Sequence, residues 1–126
     1  MIAIDDVLEL EPGVRIVARS SISASNEVFR DHFPGFPVLP GALLLDLFDQ
    51  AGAKLLGPQG APSLRRVERL TFSRAALPGD RVILTLEHMG NRSDTELLSA
   101  KAEADGQLLA RATLLFDRAA SRRNAP

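Results

Sequence analysis

The run His32-Phe33-Pro34-Gly35-Phe36-Pro37-Val38-Leu39-Pro40-Gly41 leads directly into Ala42-Leu43-Leu44-Leu45-Asp46-Leu47-Phe48-Asp49-Gln50. A histidine, a stiff loop, an apolar helix-forming run and one carboxylate inside that run are the parts of an acid–base site. Pro34, Pro37 and Pro40 each fix φ near ~−65° and hold the preceding residue extended. Gly35 and Gly41 permit a tight turn and close backbone approach. Such a loop has little conformational freedom left to lose and can hold His32 in one place, as a general base requires. A lone histidine would read as an ordinary turn residue; the helix behind it changes that reading.

From Gly41 to about Leu56 the residues are apolar on most sides, which predicts a buried helix roughly 24 Å long at ~1.5 Å per residue. The polar exceptions, Asp46, Asp49, Gln50 and Lys54, fall three and four apart on one narrow stripe. Asp49 and Lys54 are expected to face solvent. Asp46, enclosed in sequence by leucines and Phe48, is the candidate acid. Gly41 opens the helix, where N–H groups lack intrahelical partners and carry the positive end of the dipole, a setting suited to an oxyanion. The plainer alternative is that Pro40-Gly41 merely starts the helix. A base, an oxyanion donor and an acid, with no evident nucleophile or metal, fit proton abstraction α to a carbonyl with loss or movement of a β group.

This stretch resembles the signature of the β-hydroxyacyl-acyl carrier protein dehydratases of type II fatty acid synthesis, which have the hotdog fold. In that family the histidine opens an His-Phe-Pro-Gly-x-Pro-x-x-Pro-Gly run, the catalytic carboxylate follows fourteen positions later and a glutamine four beyond it. Those positions hold His32, Asp46 and Gln50. The segment Asp6-Val7-Leu8-Glu9-Leu10-Glu11-Pro12-Gly13 resembles the family's first strand and hairpin. Asn26-Glu27-Val28-Phe29 resembles its approach to the histidine, and Phe72 with Pro78-Gly79-Asp80 its post-helix strand and turn. Asp31 replaces the glycine common before the histidine. Asp46 stands where glutamate is usual, as in the bifunctional branch that also isomerises the double bond. The chain contains no Tyr, so it lacks the aromatic gate of some members.

The resemblance implies a β-hydroxyacyl thioester substrate carried on the phosphopantetheine arm of acyl carrier protein, with no cofactor of the enzyme's own. Neutral His32 would take the α-proton, the Gly41 N–H would polarise the thioester carbonyl, and protonated Asp46 would donate to the departing β-hydroxyl. It further implies that the Val38 carbonyl orients His32 and that Gln50 hydrogen-bonds Asp46. The product is expected to be the trans-α,β-enoyl thioester, with little or no isomerisation. A homodimer is implied, each site taking its histidine from one chain and its acid from the other, with further association left open. Two rivals are a hotdog acyl thioesterase, whose carboxylate would activate water, and a non-catalytic hotdog subunit that binds acyl chains or a partner. The ordered histidine loop speaks against the first, and the joint presence of His32 and Asp46 against the second.

Composition narrows the alternatives. The 126 residues suit one domain. Fifteen basic and 16 acidic residues give no nucleic-acid footprint. Two histidines and no cysteine argue against a metal site or a disulfide framework, and the lack of cysteine fits a cytoplasmic protein. No apolar run reaches the ~18 residues of a membrane span, and Met1-Ile2-Ala3-Ile4-Asp5-Asp6 is not a signal peptide. Strand-like runs are expected at 14–24, 64–74, 81–89, 95–104 and 107–117, with turns at Pro78-Gly79-Asp80, Gly90-Asn91 and Asp105-Gly106. One long helix and about five strands predict a single α+β domain over residues 1–118, its antiparallel sheet curled around the helix, followed by a frayed polar tail at 119–126. Arg65, Arg66 and Arg69 read as solvated charges near a sheet edge, with contact to an acidic carrier as the functional alternative. His88 reads as a strand surface residue.

Overall fold

The computed structural model describes residues 3–22 and 41–118. Its elements are β1 (Asp6–Glu11), β2 (Arg15–Ser21), α1 (Gly41–Leu56), β3 (Ser63–Phe72), β4 (Arg81–Arg92), β5 (Thr95–Ala104) and β6 (Gln107–Asp117). The six strands form one antiparallel sheet in the order β1-β2-β4-β5-β6-β3. After β2 the chain makes α1, adds β3 at the far edge and returns to the sheet centre as β4. The result is the expected α+β hotdog arrangement, with α1 packed on an open curved sheet.

Helix α1 buries Leu44, Leu47, Phe48, Ala51, Gly52 and Leu55, spaced three and one apart as a single helical face demands. They meet alternate residues of the strands: Ile16 and Ala18 on β2, Val82, Leu84 and Leu86 on β4, and Leu98, Ala100, Ala102 and Ala104 on β5. Helix and sheet come closest at Gly52. A Cβ built there would lie 2.5 Å from Cε1 of buried Phe116 and nearer still to its Cζ. The helix ends where Gly57 takes a left-handed φ of 82° and returns its N–H to the Ala53 carbonyl at 3.0 Å, a conformation glycine adopts without strain. Two further terminal carbonyls are satisfied from outside the helix. Gly13 N donates to Leu55 O at 2.9 Å, and Arg118 Nη2 donates to Leu56 O at 2.8 Å.

The sequence expectations hold for α1 and for most strands, with three corrections. Strand β4 continues to Arg92, so Gly90-Asn91 is not a turn. Gly90, at φ 128°, instead forms a β-bulge where the pairing with β5 shifts after His88, and the chain reverses at Ser93 and Asp94. Strand β3 stops at Phe72, before Arg74. Among the described residues there are six strands where local patterning gave five, the sixth being β1. The expected far end of β2, at 23 and 24, and the tail 119–126 lie outside the described residues.

Candidate active site

The first residue of α1 is Gly41, and the first turn carries no acidic side chain, so nothing on the helix itself neutralises the positive end of its dipole. A side chain here would have to displace the ring of Phe72. A Cβ at position 41 would lie 2.5 Å from Cζ and 3.0 Å from Cε1 and Cε2 of Phe72, whose half-exposed ring closes the end of β3 over the helix start. Phe72 was singled out in the sequence only by resemblance; the structure puts it beside the Gly41 backbone.

Asp46 lies half-buried, five residues into the helix from Gly41. One turn further on, Gln50 Nε2 donates to Asp46 Oδ2 at 3.2 Å, the contact that an i,i+4 spacing permits. The other end of the same amide is also held, because the Ile4 backbone N–H donates to Gln50 Oε1 at 3.1 Å. Sequence reasoning missed Ile4; its partner is 46 positions away, and no local pattern marks it. An open, mainly apolar groove of about 830 Å³ adjoins Gln50 and is lined also by Val7, Leu10, Pro58 and Pro62.

Helix α1 therefore carries Gly41, Asp46 and Gln50 together. His32 and Val38, and Asp31 with them, lie outside the described residues. Asp49 departs from expectation: it is half-buried and accepts a hydrogen bond from the Leu64 backbone N–H at 3.3 Å, tying the helix to β3 instead of facing solvent. Lys54 is exposed, as expected. His88 is half-buried, with Nε2 3.6 Å from Glu96 Oε1, so it is not a plain surface residue. Arg65, Arg66 and Arg69 are exposed on edge strand β3. Arg65 pairs with Asp117 at 3.6 Å and Arg66 with Glu68 at 3.3 Å, contacts worth little in solvent.

A part-buried ionic anchor lies at the β3–β4 turn. Arg74 reaches Asp80 at 3.0 Å, and Leu77 N–H donates to the same carboxylate oxygen at 2.8 Å. The Arg74 hydrogen bond, with help from the Leu77 amide and against the penalty of burial, holds the Asp80 carboxyl below its ordinary range. This turn clasps the end of β2: Ile22 N–H donates to Asp80 O at 2.9 Å, and Gly79 N–H donates to Ile22 O at 2.6 Å. Among the described residues no cluster of His, Cys, Asp and Glu could hold a metal ion, and no helix is long and apolar enough to cross a membrane.

A family model for ApeI-like dehydratases matches residues 9–111. Two curated relatives are named 3-hydroxyacyl-(acyl-carrier-protein) dehydratase FabZ. The protein from Symbiobacterium thermophilum is 40% identical over 118 residues, covering 90% of this chain and 83% of its own. That from Enterococcus faecalis is 33% identical over 120 residues, covering 90% and 84%. Among solved structures, the dehydratase heterocomplex ApeI:P from Xenorhabdus doucetiae superposes with a TM-score of 0.73 at 23% identity, over 87% of this chain and 93% of that one. The TT0310 protein from Thermus thermophilus gives 0.71 at 24%, over 90% of each. These two likenesses establish the fold.

Proposed function

This chain belongs to the ApeI-like dehydratase family, and we propose that it dehydrates a β-hydroxyacyl thioester, carried on acyl carrier protein, to the trans-α,β-enoyl thioester. The observation that carries the reading is the carboxylate Asp46, half-buried on the central helix and held by Gln50, in a chain whose curated relatives are named for this reaction. The enzyme is a hydro-lyase. The thioesterase alternative finds no support in those names.

The chemistry is an elimination with balanced protons. His32 removes the α-proton while the thioester oxygen gains negative character and is met by the Gly41 N–H. The Cβ–O bond then breaks, and Asp46 supplies the proton that lets hydroxide leave as water. His32 ends protonated and Asp46 ionised, and the cycle closes when the proton passes back between them. A positioned acid or base contributes ~10²–10⁴-fold. The reaction uses protein groups alone and calls on no metal or cofactor. The apolar groove beside Gln50 offers room for the acyl chain. The Val38 carbonyl is assigned the role of orienting His32.

The working unit in this reading is a homodimer whose sites are shared. Among the described residues β3 pairs on one side only, and an open edge of ten residues is a surface that proteins normally cover. Subunit mixing tests function and assembly together. His32→Ala and Asp46→Asn homodimers should each fail to dehydrate a β-hydroxyacyl carrier substrate, with products followed by mass spectrometry. Mixed and refolded one to one, they form heterodimers with one intact site, and about a quarter of wild-type activity should return. Either variant turning over at near wild-type rate refutes the acid–base pair. Inactive variants that never complement refute the shared site.

A further inference from the structure

Gln50 presents an amide to Asp46, and an amide has two different ends. A backbone N–H can only donate, so the Ile4 amide at 3.1 Å selects the oxygen of Gln50 as its partner. With Oε1 so engaged, Nε2 must face Asp46, where it donates to Oδ2 at 3.2 Å. The segment bearing Ile4 is itself pinned to the end of β2. Asp5 N–H donates to Arg19 O at 2.8 Å, Ser20 Oγ–H donates to Ala3 O at 2.7 Å, and Ser21 N–H donates to the Asp5 carboxylate at 2.6 Å. Ile4 is half-buried and packs against the core. Resting on the function proposed above, we infer that the Ile4 backbone amide is a positioning group that sets the direction of Gln50 and so decides which oxygen of the catalytic acid carries its proton.

The chemical consequence follows from donors and acceptors alone. Oδ2 of Asp46 accepts from Nε2, so the proton of the neutral acid resides on Oδ1, the oxygen left to meet the β-hydroxyl. Were the amide reversed, Oε1 would face Asp46 and accept that proton in a hydrogen bond of its own. The acid would then be committed to Gln50 and not to the leaving group. An i,i+4 glutamine supports both arrangements equally well; the Ile4 N–H favours the one that turns Nε2 toward Asp46.

Three variants test this. Ile4→Pro removes the N–H and keeps an apolar residue; Ile4→Ala trims the side chain and keeps the N–H. Gln50→Glu retains an oxygen toward Ile4 but sets a second oxygen against Asp46, imitating the reversed amide. With the wild-type enzyme as reference, Ile4→Pro and Gln50→Glu should lose at least tenfold in kcat with KM little changed, since a general acid is worth ~10²–10⁴-fold. Ile4→Ala should retain kcat while losing stability. The side-chain amide resonances of Gln50, which report its orientation without any turnover, should shift in Ile4→Pro and hold in Ile4→Ala. A folded Ile4→Pro with wild-type kcat and unmoved resonances overturns the inference. So does a Gln50→Glu enzyme that turns over normally, or an Ile4→Ala loss of kcat as large as that of Ile4→Pro. A wild-type protein that does not dehydrate overturns the proposed function instead, and the resonances then still decide the orientation.

Discussion

Replacing Gly52 by alanine should destabilise the protein, although alanine is the better helix former by about 1 kcal/mol. Non-bonded carbons rest at ~3.5–4.0 Å. The new Cβ would lie 2.5 Å from Phe116 Cε1 and closer to Cζ, an overlap of roughly an ångström or more on that contact distance. Phe116 is 0% exposed, so its ring has nowhere to swing without displacing other core side chains. The helix must lift from the sheet instead. Overpacking of this kind costs about 1–3 kcal/mol, and overlap with a fully buried ring belongs at the upper end. Subtracting the helix gain leaves a net loss of about 2 kcal/mol, or roughly 5–10 °C in Tm for a domain of this size. Urea and thermal melts followed by circular dichroism measure it directly. The Phe116→Leu background shortens the ring that is struck, so the two substitutions together should be better than additive by at least about 1 kcal/mol. Because Asp46 lies six residues before Gly52 on the same rigid helix, kcat should fall even where the variant is fully folded. A Gly52→Ala protein as stable as wild type would refute the argument that close helix–sheet approach dictates this glycine.

The Arg74–Asp80 anchor should make stability depend on acid pH. A carboxyl held below its unfolded value near ~3.9 contributes stability above that pH and loses it as the pH falls through the lower folded value. Asp80→Asn should therefore be less stable than wild type at neutral pH, with the gap narrowing on acidification; a gap in urea midpoint that stays constant through the acid range would contradict the assignment. Asp49→Asn keeps the oxygen that meets the Leu64 amide and should stay within about 0.5 kcal/mol of wild type, whereas Asp49→Ala should lose about 1 kcal/mol. Equal stability of the two would show that the contact contributes nothing. Supplied with a trans-α,β-enoyl thioester, the enzyme should form little β,γ-isomer, and substantial isomer would place it with the bifunctional dehydratases.

Features that were readable from sequence are those decided by neighbours along the chain. Gly41 opens α1 and Gly57-Pro58 follows its end as written, and Asp105-Gly106 makes the expected turn, both residues having positive φ, 52° and 73°. Gly90 shows the limit. Its glycine correctly signals φ above zero, but whether that angle serves a turn or a bulge depends on the register with β5, which is a property of two strands. The burial of Asp49 escapes local pattern for the same reason, since the amide that holds it belongs to a strand fifteen positions on. The close approaches at Gly41 and Gly52 depend on Phe72 and Phe116, each brought in by the sheet. The proposed acid shows the division most sharply. Helical periodicity alone brings Gln50 to Asp46, so their pairing is legible from a spacing of four. That periodicity is indifferent to which end of the amide turns inward, and a hydrogen bond to the wrong end would capture the proton that the proposed elimination needs. Ile4 favours one direction, in a segment whose neighbours Ala3 and Asp5 are bonded to the end of β2. A helix can bring an acid and its partner together, but orienting the pair takes a donor from elsewhere in the fold.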